Sequence, residues 1–128
     1  MTDTLDRAVA ALGRLEGRIM RLVWTSAVAT EFVVRDIGDL VPELAYTTVM
    51  TTLRRLADKG LLHAEARVGH RAHTYRAAGT PADYLAAASR REAGEVVARY
   101  GDAALAAFAA RLGELTDEQR RRLRELGS

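Results

Sequence analysis

Cysteine is absent from this 128-residue chain. That absence excludes disulfides, thiolate metal sites and cysteine nucleophiles together. Aromatic residues make up only 5% of the chain against 48% hydrophobic residues overall, so its core must be built from aliphatic side chains and alanine. No stretch approaches the roughly 18 consecutive apolar residues that a membrane-spanning helix needs. The opening stretch, MTDTLDRAVAAL, has no basic leader ahead of an apolar run, so it lacks the form of a secretory signal, and a cytoplasmic location is expected. Serine is scarce: only Ser26, Ser89 and Ser128 occur, none of them in a nucleophile elbow. No glycine-rich phosphate loop is present either. An enzyme is the class with least support.

Negative charge is what the middle of the chain lacks. Residues 1–43 carry five Arg against seven acids, and residues 81–128 carry eight Arg against eight acids. Between them, residues 44–80 carry six Lys or Arg against two acids, and also hold all three histidines, His63, His70 and His73. The net charge of +2 therefore understates a local basic patch, which is the electrostatic footprint of a nucleic-acid reader.

At the centre of that patch, Leu44 to Gly60 is two-faced at helical spacing. Val49, Leu53 and Leu56 recur at i, i+4 and i+7 and share one side. The other side offers Thr47, Thr51 and Arg54, flanked by Thr48, Met50 and Arg55, with no carboxylate until Asp58. Threonine can meet a thymine methyl or a base edge, and arginine can fork onto guanine or a phosphate. Taken alone, the pattern also fits an ordinary amphipathic helix with a solvated face.

Its neighbours favour the first reading. Leu12, Leu15, Ile19, Leu22 and Val23 predict a helix over about 12–24, with Arg14, Arg18 and Arg21 on a solvated side. Residues 27–32 read as a short strand or an extended link, and Val33, Val34, Ile37 and Leu40 as a two-turn helix without an evident N-cap. Pro42 ends that helix near Val41. A short helix, a turn and the two-faced helix together read as helix-turn-helix. Gly60 closes the third helix, and two segments around Val68-Gly69-His70 suggest a β-hairpin, a wing, with Tyr75 turned inward.

Thr80-Pro81-Ala-Asp83 is a helix start, Gly101 interrupts the helix that follows, and Thr116 with Gln119 forms a capping box for a last short one. This Ala-rich tail has too much apolar surface and too few helices to stand alone. It folds back or pairs with a second chain, and helix-turn-helix proteins usually bind two half-sites as dimers. The histidines lack a cysteine or a carboxylate cluster to complete a tetrahedral site, so no metal and no cofactor is expected. The Arg120 to Arg124 run is balanced by Glu118 and Glu125 and reads as a solvated face.

Several strings resemble the penicillinase-repressor (BlaI/MecI) family. They are Leu15-Glu16, Ile19-Met20, Leu22-Val23-Trp24, Ala45-Tyr-Thr-Thr-Val-Met-Thr-Thr-Leu-Arg-Arg-Leu56, Lys59-Gly60-Leu61 and Tyr75. The resemblance covers about 12–78 closely and the tail in layout. It implies a homodimeric repressor on a dyad-symmetric double-stranded DNA operator near its own promoter, with no membrane insertion. It also implies a membrane-bound sensor protease as partner, whose signal leads to cleavage of the tail at an Asn-Phe bond. This chain has Ala107-Phe108 at that place. The family's copper-responsive branch uses a Cys-rich tail, which this chain does not have.

The combined expectation is a mostly α chain: an extension over 1–11, a winged helix-turn-helix DNA-binding domain over 12–78 and a helical dimerisation region over 79–128. Base-edge candidates are Thr47, Thr48, Met50, Thr51 and Arg54. Phosphate and wing candidates are Arg55, Arg67, His70, Arg71 and His73. Dimerisation candidates are Leu85, Val96, Tyr100, Leu105, Phe108, Leu112 and Leu123. The competing readings are a ligand-sensing winged-helix regulator of another family and a dimerising interaction module that does not bind DNA.

Overall fold

The computed structural model describes residues 3–66, 69 and 73–127. Among them the chain forms α1 (Thr4–Ala10), α2 (Arg14–Trp24), α3 (Val34–Gly38), α4 (Tyr46–Asp58), β1 (Leu62–Ala66), β2 (His73–Ala77), α5 (Pro81–Tyr100), α6 (Asp102–Gly113) and α7 (Asp117–Leu126). Two compact units divide within α5, one up to Ala87 and one from Ala88 onward.

In the first unit, α2, α3 and α4 surround one core that is mainly aliphatic but, unlike the expected one, also takes in the rings of Phe32 and Tyr75. The expected stripe on α4 supplies its centre: Val49, Leu53 and Leu56 are fully buried. Removing each such side chain from water contributes about 1.5–3 kcal/mol. Ile19 and Met20 of α2 and Ile37 of α3 close the core from the other helices. Thr52, also buried, spends its hydroxyl on the Thr48 carbonyl one turn back at 2.7 Å, so no polar group is stranded there.

Local chemistry ends α4 as expected. Gly60 takes a left-handed φ of +81°, the Leu61 N–H donates to the Leu56 carbonyl at 2.9 Å, and the Gly60 N–H donates to the Ala57 carbonyl at 3.0 Å. These are the two bonds of a Schellman motif, with Leu61 packed in the core beside Leu56. The chain then enters the hairpin, whose antiparallel register pairs Leu62 with Ala77 and Ala66 with His73. Tyr75 faces inward as expected, and Leu62 does too, while His63 and Arg76 stay exposed. Three helices and a hairpin in this order make a winged helix-turn-helix.

Several local features refine the expectation. Residues 4–10, within the expected N-terminal extension over 1–11, form a helix. The Asp3 carboxylate accepts the Asp6 N–H at 2.7 Å, and Ala8 is fully buried. The close approach falls at Gly17 of α2, where a Cβ would stand 2.8 Å from the Val9 carbonyl oxygen. The first helix of the expected domain accordingly begins at Arg14, not near residue 12. The short second helix spans only Val34–Gly38, and its start is held from inside: the Asp36 carboxylate accepts the Val33 N–H at 2.9 Å. Residues 27–32 form a link, one of the two expected readings, and Phe32 makes a single antiparallel bridge from it to Tyr75.

The start of α5 carries the expected cap. Thr80 Oγ1 accepts the Asp83 N–H at 3.1 Å, and the Asp83 carboxylate accepts the Thr80 N–H at 2.9 Å. Trp24 Nε1 donates to the Gly79 carbonyl at 3.0 Å, and its ring meets Tyr84 at 6.3 Å, which fixes the first turn of α5 within the first unit. In the second unit Gly101 (φ +59°) separates α5 from α6, and Thr116 with Gln119 caps α7 reciprocally. Among the described residues no helix is long and apolar enough to cross a membrane.

Candidate nucleic-acid interface

With its apolar face buried, the rotation of α4 is set, and the helix sorts its polar side chains by angle. At about 100° per residue, Thr47, Thr51, Arg54 and Asp58 fall within roughly 60° of one another, opposite the core. All four are exposed. The flanks have different surroundings. Toward α2, Thr48 and Arg55 border a cleft walled by Leu15. Toward the hairpin stand Tyr46 and Met50. Met50 is half-buried and packs on the core, while Tyr46 is 61% exposed.

The structure therefore divides the five base-edge candidates. Thr47, Thr51 and Arg54 stand outermost, whereas Thr48 and Met50 are half-buried on opposite flanks. Arg55 is exposed on the α2 side. His73 is exposed at the start of β2, with its ring 6.4 Å from that of Tyr75. Arg67, His70 and Arg71 lie outside the described residues. Tyr46 is the residue that sequence reasoning passed over. Its signal was available: a large aromatic side chain at the first position of a helix whose own apolar stripe excludes it.

Electrostatics narrows the interface further. Arg18 pairs with Glu43, Arg21 with Asp6 at 2.8 Å, and Lys59 with Glu16 at 2.8 Å. The Glu43 carboxyl lies below its ordinary value, first through a backbone hydrogen bond at Glu43 itself and then through the Arg18 guanidinium. These pairs neutralise much of the basic charge on α2 and at the end of α4. Among the described residues no ion pair forms at Arg54 or Arg55, so positive charge on α4 is left for an outside anion. Behind Arg54 sits Tyr75, whose hydroxyl is pushed up by burial while the Arg54 guanidinium acts in the opposite direction.

The second unit shows a different surface. Val96 and Tyr100 on α5, Leu105, Phe108 and Leu112 on α6, and Leu123 on α7 are each 39–59% exposed. Leu126 is 84% exposed. Leu105, Phe108 and Leu112 recur at i, i+3 and i+7, so α6 presents them as one row. Leu85 stands apart from the other dimerisation candidates, being half-buried in the first unit. Ala107 and Phe108 lie inside α6.

No curated protein matches the chain. The family model described as penicillinase repressor matches residues 12–127, from α2 through α7, and leaves only α1 outside. The chain belongs to the penicillinase repressor family, a family of DNA-binding transcriptional repressors and not of enzymes.

Proposed function

We propose that the protein represses transcription as a homodimer on a dyad-symmetric operator near its own promoter, one α4 helix entering the major groove of each half-site. The observation that carries this reading is the outer stripe of α4. Exposed threonines, and an arginine with no ion pair among the described residues, stand on a helix whose opposite face is fully buried. Such a helix can enter a groove without exposing its core residues, and its side chains match the donor, acceptor and methyl pattern found there.

In this reading Thr47, Thr48, Met50, Thr51 and Arg54 supply base-edge contacts. Arg55, Arg67, His70, Arg71 and His73 supply backbone and wing contacts. Residues 12–78 read DNA and residues 79–128 dimerise, with the exposed apolar row of α6 as the centre of the interface. That row supports pairing, because a cluster of large apolar side chains left in water costs free energy that a second copy can recover. The dimer works in the cytoplasm, and a membrane-bound sensor protease would release it by an event in the tail. The Asn of the family's cleavage pair is Ala107 here, so the recognition rule of such a protease would have to differ.

Binding to a labelled fragment of the gene's own upstream region, measured against scrambled DNA across a salt series, tests the proposal. The expected result is sequence-selective binding with a steep salt slope. Equal affinity for both DNAs would overturn operator reading. Absence of salt-dependent binding to either would overturn DNA binding altogether.

A further inference from the structure

The cleft between α2 and α4 is lined by Leu15, Thr47, Thr48, Thr51, Thr52 and Arg55. Among the described residues no carboxylate lines it, and Glu16, next to Leu15 in sequence, is paired with Lys59. Thr52 has spent its hydroxyl hydrogen on the Thr48 carbonyl. The hydroxyls of Thr47, Thr48 and Thr51 make no hydrogen bond among the described residues. Three hydroxyl donors, one guanidinium and one apolar wall thus border a hollow that runs from the outer stripe of the helix toward α2.

We infer that this cleft seats one backbone phosphate of the DNA in each half-site, with Arg55 supplying the charge and Thr48 a hydroxyl donor. The inference rests on the repressor reading and refines it by moving Thr48 from base reading to backbone positioning. Arg54 and Arg55 are adjacent in sequence but about 100° apart around the helix. When the outer stripe faces the floor of a major groove, a residue turned that far toward α2 faces the groove wall, where the sugar–phosphate strand runs. Guanidinium and hydroxyl donors suit a phosphate oxygen, and such contacts fix register without carrying sequence information. Thr47 and Thr51 border both surfaces and link the seat to the base-reading stripe.

The test uses the duplex that the wild-type protein enriches from a random pool, and a scrambled duplex of equal length. Arg55→Gln should weaken binding to both equally, by about eightfold at 0.1 M salt for each seated protomer, and should lower the salt slope by about 0.9 per seat. The ratio between the two duplexes should not change. A scan of single methylphosphonates, which remove one phosphate charge at a time, should find one position per half-site that weakens the wild type but not Arg55→Gln. Thr48→Val, which keeps the shape and removes the hydroxyl, should also weaken both duplexes equally, and it carries the test if Arg55→Gln melts early. A selective loss on the enriched duplex would make these residues base readers and overturn the inference. So would unchanged affinity and salt slope. If the wild type enriches no sequence and binds no duplex, the repressor reading itself fails. Failure of the two variants alone leaves that reading standing.

Discussion

Phe32 and Tyr75 exchange both of their backbone hydrogen bonds, at 3.0 and 2.8 Å, and stack their rings at 6.0 Å between centroids. Both side chains are buried, at 1% and 4% exposure. One residue of an otherwise irregular link thereby clamps the wing to the helical core. Phe32→Ala should destabilise the first unit by about 3–5 kcal/mol, the range for a buried phenylalanine that leaves a cavity. Phe32→Leu should cost less. Chemical denaturation of the two variants checks the order.

Two glycines in helices should respond oppositely to alanine. At Gly17 a Cβ would meet the Val9 carbonyl oxygen at 2.8 Å and Val9 Cγ1 at 3.1 Å, so α1 must shift. Gly17→Ala should cost about 1–3 kcal/mol through overpacking. At Gly94 in α5 no heavy atom lies within 4 Å, and Gly94→Ala should gain up to about 1 kcal/mol of helix propensity. Thermal melts followed by circular dichroism would show one midpoint falling and the other rising.

Arg54 stands on the outer stripe and forms no ion pair among the described residues. Arg54→Ala should weaken specific binding by about 1–3 kcal/mol and relax sequence choice at one position of each half-site. Selection from a random pool with the variant reads that position directly. Equal losses on specific and random DNA would argue against base reading.

The exposed row on α6 should hold the dimer. Leu105→Asp combined with Leu112→Asp puts two unpaired charges into it. The variant should sediment as a monomer while the first unit keeps its near-ultraviolet signal. An unchanged mass would place the dimer contact elsewhere.

The Thr80–Asp83 cap makes α5 acid-sensitive. The Thr80 backbone N–H, and then its hydroxyl, hold the Asp83 carboxyl below its ordinary value of about 3.8. A carboxyl depressed on folding stabilises the folded state above its unfolded value, and that contribution is lost as pH falls through the folded one. Below about pH 4, then, the wild type should lose helicity that Asp83→Asn does not lose. Circular dichroism titrations of the two proteins from neutral to acid would reveal the difference.

Some of these features could be read directly from short stretches of sequence. Val49, Leu53 and Leu56 announce the buried face of α4, Gly60 its end, Thr80 with Pro81 and Asp83 the start of α5, and Thr116 with Gln119 the start of α7. Caps, turns and apolar periods act over a few residues, so the residues that encode them lie side by side. Asp36 was equally local but escaped notice, because the cap of α3 comes from its third residue and Val33 offers no acceptor.

Other features have no local sign. That residues 4–10 would pack as a helix depends on Gly17 leaving room beside Val9. That Phe32 would join the wing depends on Tyr75, forty-three positions away. The division of α4 into an outer stripe, an α2 flank with Thr48 and Arg55, and a wing flank with Tyr46 and Met50 depends on what packs against each side. So does the neutralisation of Arg18, Arg21 and Lys59 by Glu43, Asp6 and Glu16. The sequence by itself determined which helix carries a basic, hydroxyl-rich face and where its apolar face lay. Only the tertiary structure decided which of its polar residues stand outermost and which cations have no internal partner, because rotation and charge pairing are set by contacts between segments far apart in the chain.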